Sequence, residues 1–213
     1  MNAQLTARTQ STEGQVLSIE GTDSLNMRSH SVLKKVRRDL VHRIFYPVVP
    51  IIVTSQSRNR IGGMAAVSCM PISVNPPLVG ISISPKNRTH GLVKTSGCFA
   101  LNWLDAQDIA KVAYCGFVSG SGIKDKISAS GFHTRPGKEL SLPIISEAHA
   151  TAECRVVDRF VLGDHDLFIG EVVVAYATDD FDQYWLFKEY SPILYIGLDD
   201  DPVRKFIKAK IRG

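Results

Sequence analysis

The sequence predicts a mainly β protein with peripheral helices, built as a barrel of antiparallel strands. Three observations predict it. About six or seven short β-branched or alternating runs follow Val48, with turn residues every 8–15 positions or so. Two of the runs, Ala148–Phe160 and Leu167–Thr178, are long and joined by the tight text VLGDHD. The regular strand–helix alternation of a doubly wound sheet is absent.

The elements follow in order. Residues 1–30 are polar and without apolar period, and read as a tail with one weak strand over Gln15–Ile19. Ser31–Phe45 carries Val32, Leu33, Val36, Leu40, Val41, Ile44 and Phe45 at helical spacing, with Ser29 or Ser31 to cap it and Pro47 to stop it. Val48–Ser55 is a strand. Gln56–Gly63 is a turn in which Gly62-Gly63 supplies left-handed freedom. Met64–Val74 is a strand broken by Pro71, so an edge or a bulge is expected there. Leu78–Ser84 and Cys98–Leu104 are strands on either side of a short helix at Thr89–Lys94. Asp105 caps a helix over Asp105–Ala113, and the Gly/Ser-rich Tyr114–Gly122 reads as a loop. Ser128–Leu142 is expected to be irregular. After the two long strands come a short strand, Pro192–Ile196, and a helix over Asp201–Lys210 with Pro202 in its first turn. The implied organisation is a tail (1–30), a barrel domain with a leading helix (31–197) and a basic C-terminal helix (198–213).

Composition narrows the function. The chain has 213 residues, 25 of them Lys or Arg and 21 Asp or Glu, a net charge of +4. That balance is too mild to argue nucleic acid and suits a small anionic ligand equally well. Much of the surplus lies in RKFIKAKIR at 204–212, which reads as a solvated helix face or as a tether. No apolar run approaches the roughly 20 residues of a membrane span, and the N-terminus shows no secretory core, so a cytoplasmic location is expected. Cys69, Cys98, Cys115 and Cys154 form no Cys-x-x-Cys pair and read as free thiols. No G-x-G-x-x-G, no nucleophile elbow and no paired His/carboxylate spacing for a metal is present.

Five segments or single residues could carry chemistry. Ser84-Pro-Lys86-Asn-Arg88-Thr89 lies between a strand and a helix start, where free N–H groups and a guanidinium attract phosphate. It also reads as a plain polar loop with Thr89 as N-cap. Met64-Ala65-Ala-Val67-Ser68-Cys69 is a small-residue strand on which a planar ring could lie against backbone, or a well-packed core strand. Asn102, polar among apolar neighbours, bonds either a ligand or an adjacent strand. Gly163-Asp164-His165 puts an imidazole at a turn, as a surface residue or as a contact to a second ligand. Lys126, after the Gly/Ser loop, offers a cation to developing negative charge, or starts a solvated helix.

Taken together these segments resemble the flavin reductase-like family with the FMN-binding split-barrel fold. The resemblance covers about Phe45 to Gly197. It is carried by GGMAAVSCMPISVNPPLVGISIS at 62–84, RTHGLVKTSGCFALNWL at 88–104, IKDKISASGF at 123–132 and ATAECRVVDRFVLGDHDLFIGEVV at 150–173. It implies a split barrel with Greek-key-like antiparallel strands, a homodimer with FMN near the interface, and hydride transfer from NADH or NADPH to flavin. It implies that Met64, Ala65, Val67, Ser68 and Cys69 meet the isoalloxazine, that Ser84, Lys86, Arg88 and Thr89 hold the phosphate, and that Asn102 and Lys126 add flavin contacts. His165 matches the histidine on the nicotinamide side. Gly62, Ala65 and Val67 stand where many relatives carry Asn, Thr and Ser, which shifts the expected ring contacts toward backbone. A flavin-dependent monooxygenase or a redox protein is the implied partner. A flavoredoxin-like carrier and a non-catalytic FMN- or anion-binding barrel are the alternatives.

Overall fold

The computed structural model describes residues 33–197 and 205–209. The chain divides into two units, Met1–Arg37 and Arg38–Gly213, and the second carries the fold. The weak strand expected at Gln15–Ile19 lies outside the described residues.

One sheet of seven strands dominates. β1 (Ile51–Ser57), β2 (Arg60–Ala66), β3 (Cys69–Ser73), β4 (Leu78–Ile83), β5 (Cys98–Trp103), β8 (Ala150–Leu162) and β9 (His165–Ala177) pair in the order β2-β1-β5-β8-β9-β4-β3. All six pairings are antiparallel. The two ends of that order, β2 and β3, are consecutive in sequence, with only Val67 and Ser68 between them. Two residues span at most about 10 Å, so the sheet must curl until its edges nearly meet. Ser82 N of β4 donates to Ser68 O at 3.1 Å, carrying the β3–β4 ladder into that link. The result is a split barrel.

The side-chain period of 2 sorts residues between the two sides of the wall. Ile51 and Val53 of β1 join Phe99 and Leu101 of β5 in a core that also holds Ile81, Ile83, Cys154 and Phe168. Helix α1 (Arg88–Ser96) plugs this core with Val93. Ile52, between them in sequence, points the other way. It meets a second core formed with α2 (Ile109–Phe117), α3 (Lys126–Ala129), Ile145 of β7 (Pro143–Ile145) and Phe206. β7 pairs with β6 (Thr134–Pro136), and β10 (Ile193–Tyr195) with β11 (Phe206–Lys208). β8 and β9 are both 13 residues long, with register shifts at Glu153/Cys154 and Val156/Asp158. Such bulges bend the strands. Thr151 to Cys154 are buried in the barrel wall, whereas Phe160, Val161 and Leu162 reach out as an exposed arm.

Several expectations change. Gly62 and Gly63 are strand residues, and the turn is Arg58-Asn59, with Arg58 at φ 54°. Their lack of a side chain serves packing instead. A Cβ on Gly62 would stand 2.3 Å from Leu92 Cδ1, and one on Gly63 2.1 Å from Ile127 Cδ1. The leading helix is a short 3-10 segment, Arg38–Phe45, with no buried residue. Residues 33–37 are irregular, and Ser31 and Val32 lie outside the described residues. α2 runs through Tyr114 to Phe117, shortening the expected loop. The C-terminal helix is replaced, where described, by strand β11, because Phe206 docks into the second core beside Tyr195. Pro71 sits on an edge strand and beside a register shift, so both consequences expected of it occur. No described helix is long and apolar enough to cross a membrane.

Candidate functional site

The site is built around the start of α1. β4 ends at Ile83, and Ser84–Asn87 turns the chain so that Asn87 N donates to Ser84 O at 2.9 Å. Asn87 is the N-cap residue, with extended backbone and no side-chain bond to the helix. Thr89 is therefore inside the first turn, 3% exposed, and does not cap. The first N–H groups of α1 thus receive no cap from a side chain, which leaves them and the positive end of the helix dipole to an anion.

A cleft of about 250 Å³ opens there. One side is formed by Ile61, Gly62, Gly63 and Met64 on edge strand β2. One wall is Lys86, Asn87, Arg88 and Thr89. The other is the end of α2 and the following loop, Cys115–Gly120, together with Lys126. Two cations therefore face each other across a Gly/Ser loop. A Cβ on Gly120 would meet Arg88 Cδ at 3.4 Å and Lys126 Cδ at 3.6 Å, ordinary contact distances that place this loop between the two side chains.

Both cations are held by backbone. Arg88 Nη1 donates to Gly120 O and Ile123 O, pinning the loop, while Arg88 Nη2 is buried with no partner. Lys126 is the first residue of α3, whose N-cap Asp125 accepts from Ile127 N and Ser128 N, both at 3.0 Å. Its Nζ donates to Cys115 O at 2.7 Å. Burial lowers the Lys126 pKa, because the charged form is poorly solvated there. An anion in the cleft would offset that penalty.

Five of the expected site residues line this cleft: Met64, Lys86, Arg88, Thr89 and Lys126. Ser84 stands at its approach, with its Oγ 3.4 Å from Lys86 N. Ala65 is half-buried and packs on the second core. Val67 and Ser68 form the link from β2 to β3, where Ser68 Oγ donates to Ser82 O at 2.8 Å. Cys69 packs on the barrel core, and burial pushes its thiol up to about 12, so it is no nucleophile at neutral pH.

Asn102 lies elsewhere. Its amide nitrogen donates to Ile52 O at 3.0 Å and Thr54 Oγ1 at 3.2 Å, and its Oδ1 accepts from Ile145 N at 2.9 Å. It is fully buried, ties β7 to the wall, and does not line the cleft. The same side-chain period that aims Phe99 and Leu101 at the barrel core turns Asn102 away from it. His165 also lies outside the cleft, half-exposed, with Nδ1 2.8 Å from Asp164 Oδ1. It does sit near the phosphate-loop end, because its neighbour Asp166 pairs with Ile83 of β4. Sequence reasoning missed Ile61, Gly62, Gly63, Asn87 and the Cys115–Gly120 wall. The available signal was Gly116 and Gly120 in a Ser-rich stretch, read only as a loop.

The arrangement fits a group that carries a phosphate, as the flavin of the resemblance does. The unpaired Arg88 Nη2 and the uncapped helix start suit that phosphate.

Comparison with known proteins agrees. Residues 41–196 match the family model described as flavin reductase like domain. An uncharacterized protein of Aeropyrum pernix is 37% identical over 166 residues, 78% of this chain and 63% of that protein, so the match spans under two thirds of its length. A ferric-chelate reductase (NAD(P)H) of Archaeoglobus fulgidus is 30% identical over 131 residues, 61% of this chain and 75% of that protein. The structure of an FMN-binding protein from Thermus thermophilus, with bound 1-cyclohex-2-enone, superposes with a TM-score of 0.67 at 26% identity, covering 85% of this chain and 96% of that one. The chain belongs to the flavin reductase-like family.

Proposed function

We propose that this chain is an NAD(P)H:flavin oxidoreductase that holds FMN in the cleft at the start of α1. One observation carries the reading. An uncapped helix start, a buried guanidinium nitrogen without a partner and a desolvated lysine converge beside edge strand β2. The names of the Archaeoglobus and Thermus relatives support it.

Bound FMN supplies a two-electron acceptor for hydride from a reduced nicotinamide. The chain's own residues bind and orient. Arg88, Thr89 and the first N–H groups of α1 take the phosphate, with Lys86 at the rim. Ile61–Met64 of β2 offer the side on which a ring would lie. Lys126 is held on Cys115 O in a poorly solvated wall, where a positive charge would act strongly on negative charge developing nearby. Arg88 also fixes the loop that closes the cleft against water. No nucleophile or general base is needed, and burial raises the pKa of Cys115, the thiol in the cleft wall. Reduced flavin would then serve a flavin-dependent monooxygenase or a redox protein. A homodimer is part of the proposal.

The test is anaerobic. Apo-protein is titrated with FMN and FAD, then mixed with NADH or NADPH while the flavin absorbance is followed. FMN binding with NAD(P)H-dependent bleaching is expected. Binding without bleaching would leave a carrier, and no flavin binding would overturn the reading.

A further inference from the structure

The cleft does not end at Arg88. Beyond that side chain lies a second hollow of about 290 Å³, lined by Asn59, Arg60, Arg88, Gly122, Ile123 and Lys124. Its cations come from three separate parts of the chain. Arg60 opens β2, Lys124 closes the loop before α3, and Arg88 opens α1. The first two are set side by side by backbone. Ile61 N donates to Lys124 O at 3.2 Å, and a parallel bridge joins Ile61 to Asp125.

These charges lack a counter-ion. Among the described residues, no carboxylate pairs with Arg60, Lys124 or Arg88. Asp125, next to Lys124, has its carboxylate committed to Ile127 N, Ser128 N and Ser128 Oγ. Arg88 stands in the wall common to both cavities. Its Nη1 is used by the loop carbonyls, and its Nη2 is buried and unpaired. Arg58, at the hairpin turn, lines an adjoining hollow that again includes Asn59 and Arg60. Like charges in such proximity repel, and an anion between them turns the repulsion into attraction.

We propose that this hollow binds a second nucleotide phosphate, beyond the one at the start of α1; the proposal rests on the flavin-cleft reading above. Three cations from three segments suit a phosphate better than a carboxylate, since guanidinium and ammonium donors can reach several of its oxygens. Two nucleotides of this chemistry carry such a group. One is FAD, through its adenylate half. The other is NADPH, through its 2′-phosphate.

The test uses the full chain and the double variant Arg60→Gln/Lys124→Gln, neither residue being in the flavin cleft. Dissociation constants for FMN and FAD, and KM for NADH and NADPH, are measured on both proteins. One ratio should rise about tenfold in the variant, as for loss of charged hydrogen bonds. A rise in KM(NADPH)/KM(NADH) assigns the 2′-phosphate. A rise in Kd(FAD)/Kd(FMN) assigns the adenylate half. The charge-retaining Arg60→Lys/Lys124→Arg should stay within about threefold of wild type. Both ratios unchanged in a variant with a native circular dichroism spectrum would overturn the proposal. If wild type binds no flavin, the cleft reading fails by itself. Adenosine 2′,5′-bisphosphate titrated against wild type and double variant then tests the hollow alone, and equal affinities overturn it.

Discussion

His90 Nε2 lies 2.7 Å from Asp166 Oδ2, and this buried pair bolts α1 to the first turn of β9. Arg159 Nη1 reaches the same oxygen at 3.2 Å, and the His90 ring packs edge-on against Phe168. The helix that presents Arg88 and Thr89 is thereby fixed to the hairpin that presents His165.

The bond from His90, with charge from His90 and Arg159, holds the Asp166 carboxyl below the usual carboxylate range. The folded state then takes up the proton less readily than the unfolded chain, whose Asp pKa is about 3.9. The contribution is full above that value and is lost as pH falls below it. Asp166→Asn should lower Tm at pH 7 and flatten the fall of Tm between about pH 4 and pH 2. Thermal melts across that window check it; parallel curves for wild type and variant would refute the assignment.

Gly63→Ala should destabilise by about 1–3 kcal/mol, the range for overpacking, because its Cβ would collide with Ile127 Cδ1 and crowd Cγ1, 2.9 Å away. Ile127→Val removes the colliding methyl. In the Gly63→Ala background it should restore stability, although alone it costs about 0.5–1.5 kcal/mol. Urea titration of the four proteins gives the coupling, and simple additivity would argue against the contact.

Arg88→Ala should weaken FMN binding by about 1.5–3 kcal/mol, tenfold to over a hundredfold in Kd. Arg88→Lys should fall between, since it keeps charge but cannot span the Gly120 and Ile123 carbonyls. Flavin fluorescence titration of apo-protein measures both. Wild-type affinity in Arg88→Ala would remove the phosphate role.

His165→Ala should raise KM for NAD(P)H or slow flavin reduction, by about tenfold if one hydrogen bond is lost. FMN affinity should stay near wild type, because the imidazole's partner is Asp164 and it lies outside the cleft. Stopped-flow reduction beside an FMN titration separates the two effects. Loss of FMN instead would make the turn structural.

The chain should dimerise. Ile44 is 64% and Phe45 75% exposed, and the hairpin arm leaves Phe160, Val161 and Leu162 in water. An apolar hollow of about 300 Å³ opens beside Trp103, Tyr176, Phe181 and Trp185. Apolar surface of this kind marks an interface. Ile51–Val53 and Leu104 are already covered within the chain, which leaves these other residues as the contact. Light scattering should give about twice the 23.4 kDa chain mass. A monomer that binds FMN would place the interface reading in error.

What the sequence determined by itself was local. Alternation in Leu78–Ile83, the breaker at Pro71 and the strand–loop–helix text around Arg88 each depend on neighbours a few residues away. From these came the strands, the edge at β3 and the loop that leads into α1. What only the tertiary structure decided was which distant segment each residue meets. Gly62 and Gly63 look like a turn in sequence, yet they make room for Leu92 and Ile127, some 30 and 64 positions on. Asn102 looks equally like a ligand contact or a strand tie, and in the structure its amide holds Ile145, 43 residues later. Lys126 and Arg88 become one site because the Cys115–Gly120 wall folds between them. The physical reason is that hydrophobic period and turn chemistry are written in adjacent residues. Steric fit, burial of a charge and satisfaction of a buried amide depend instead on contacts that exist only once the sheet has closed.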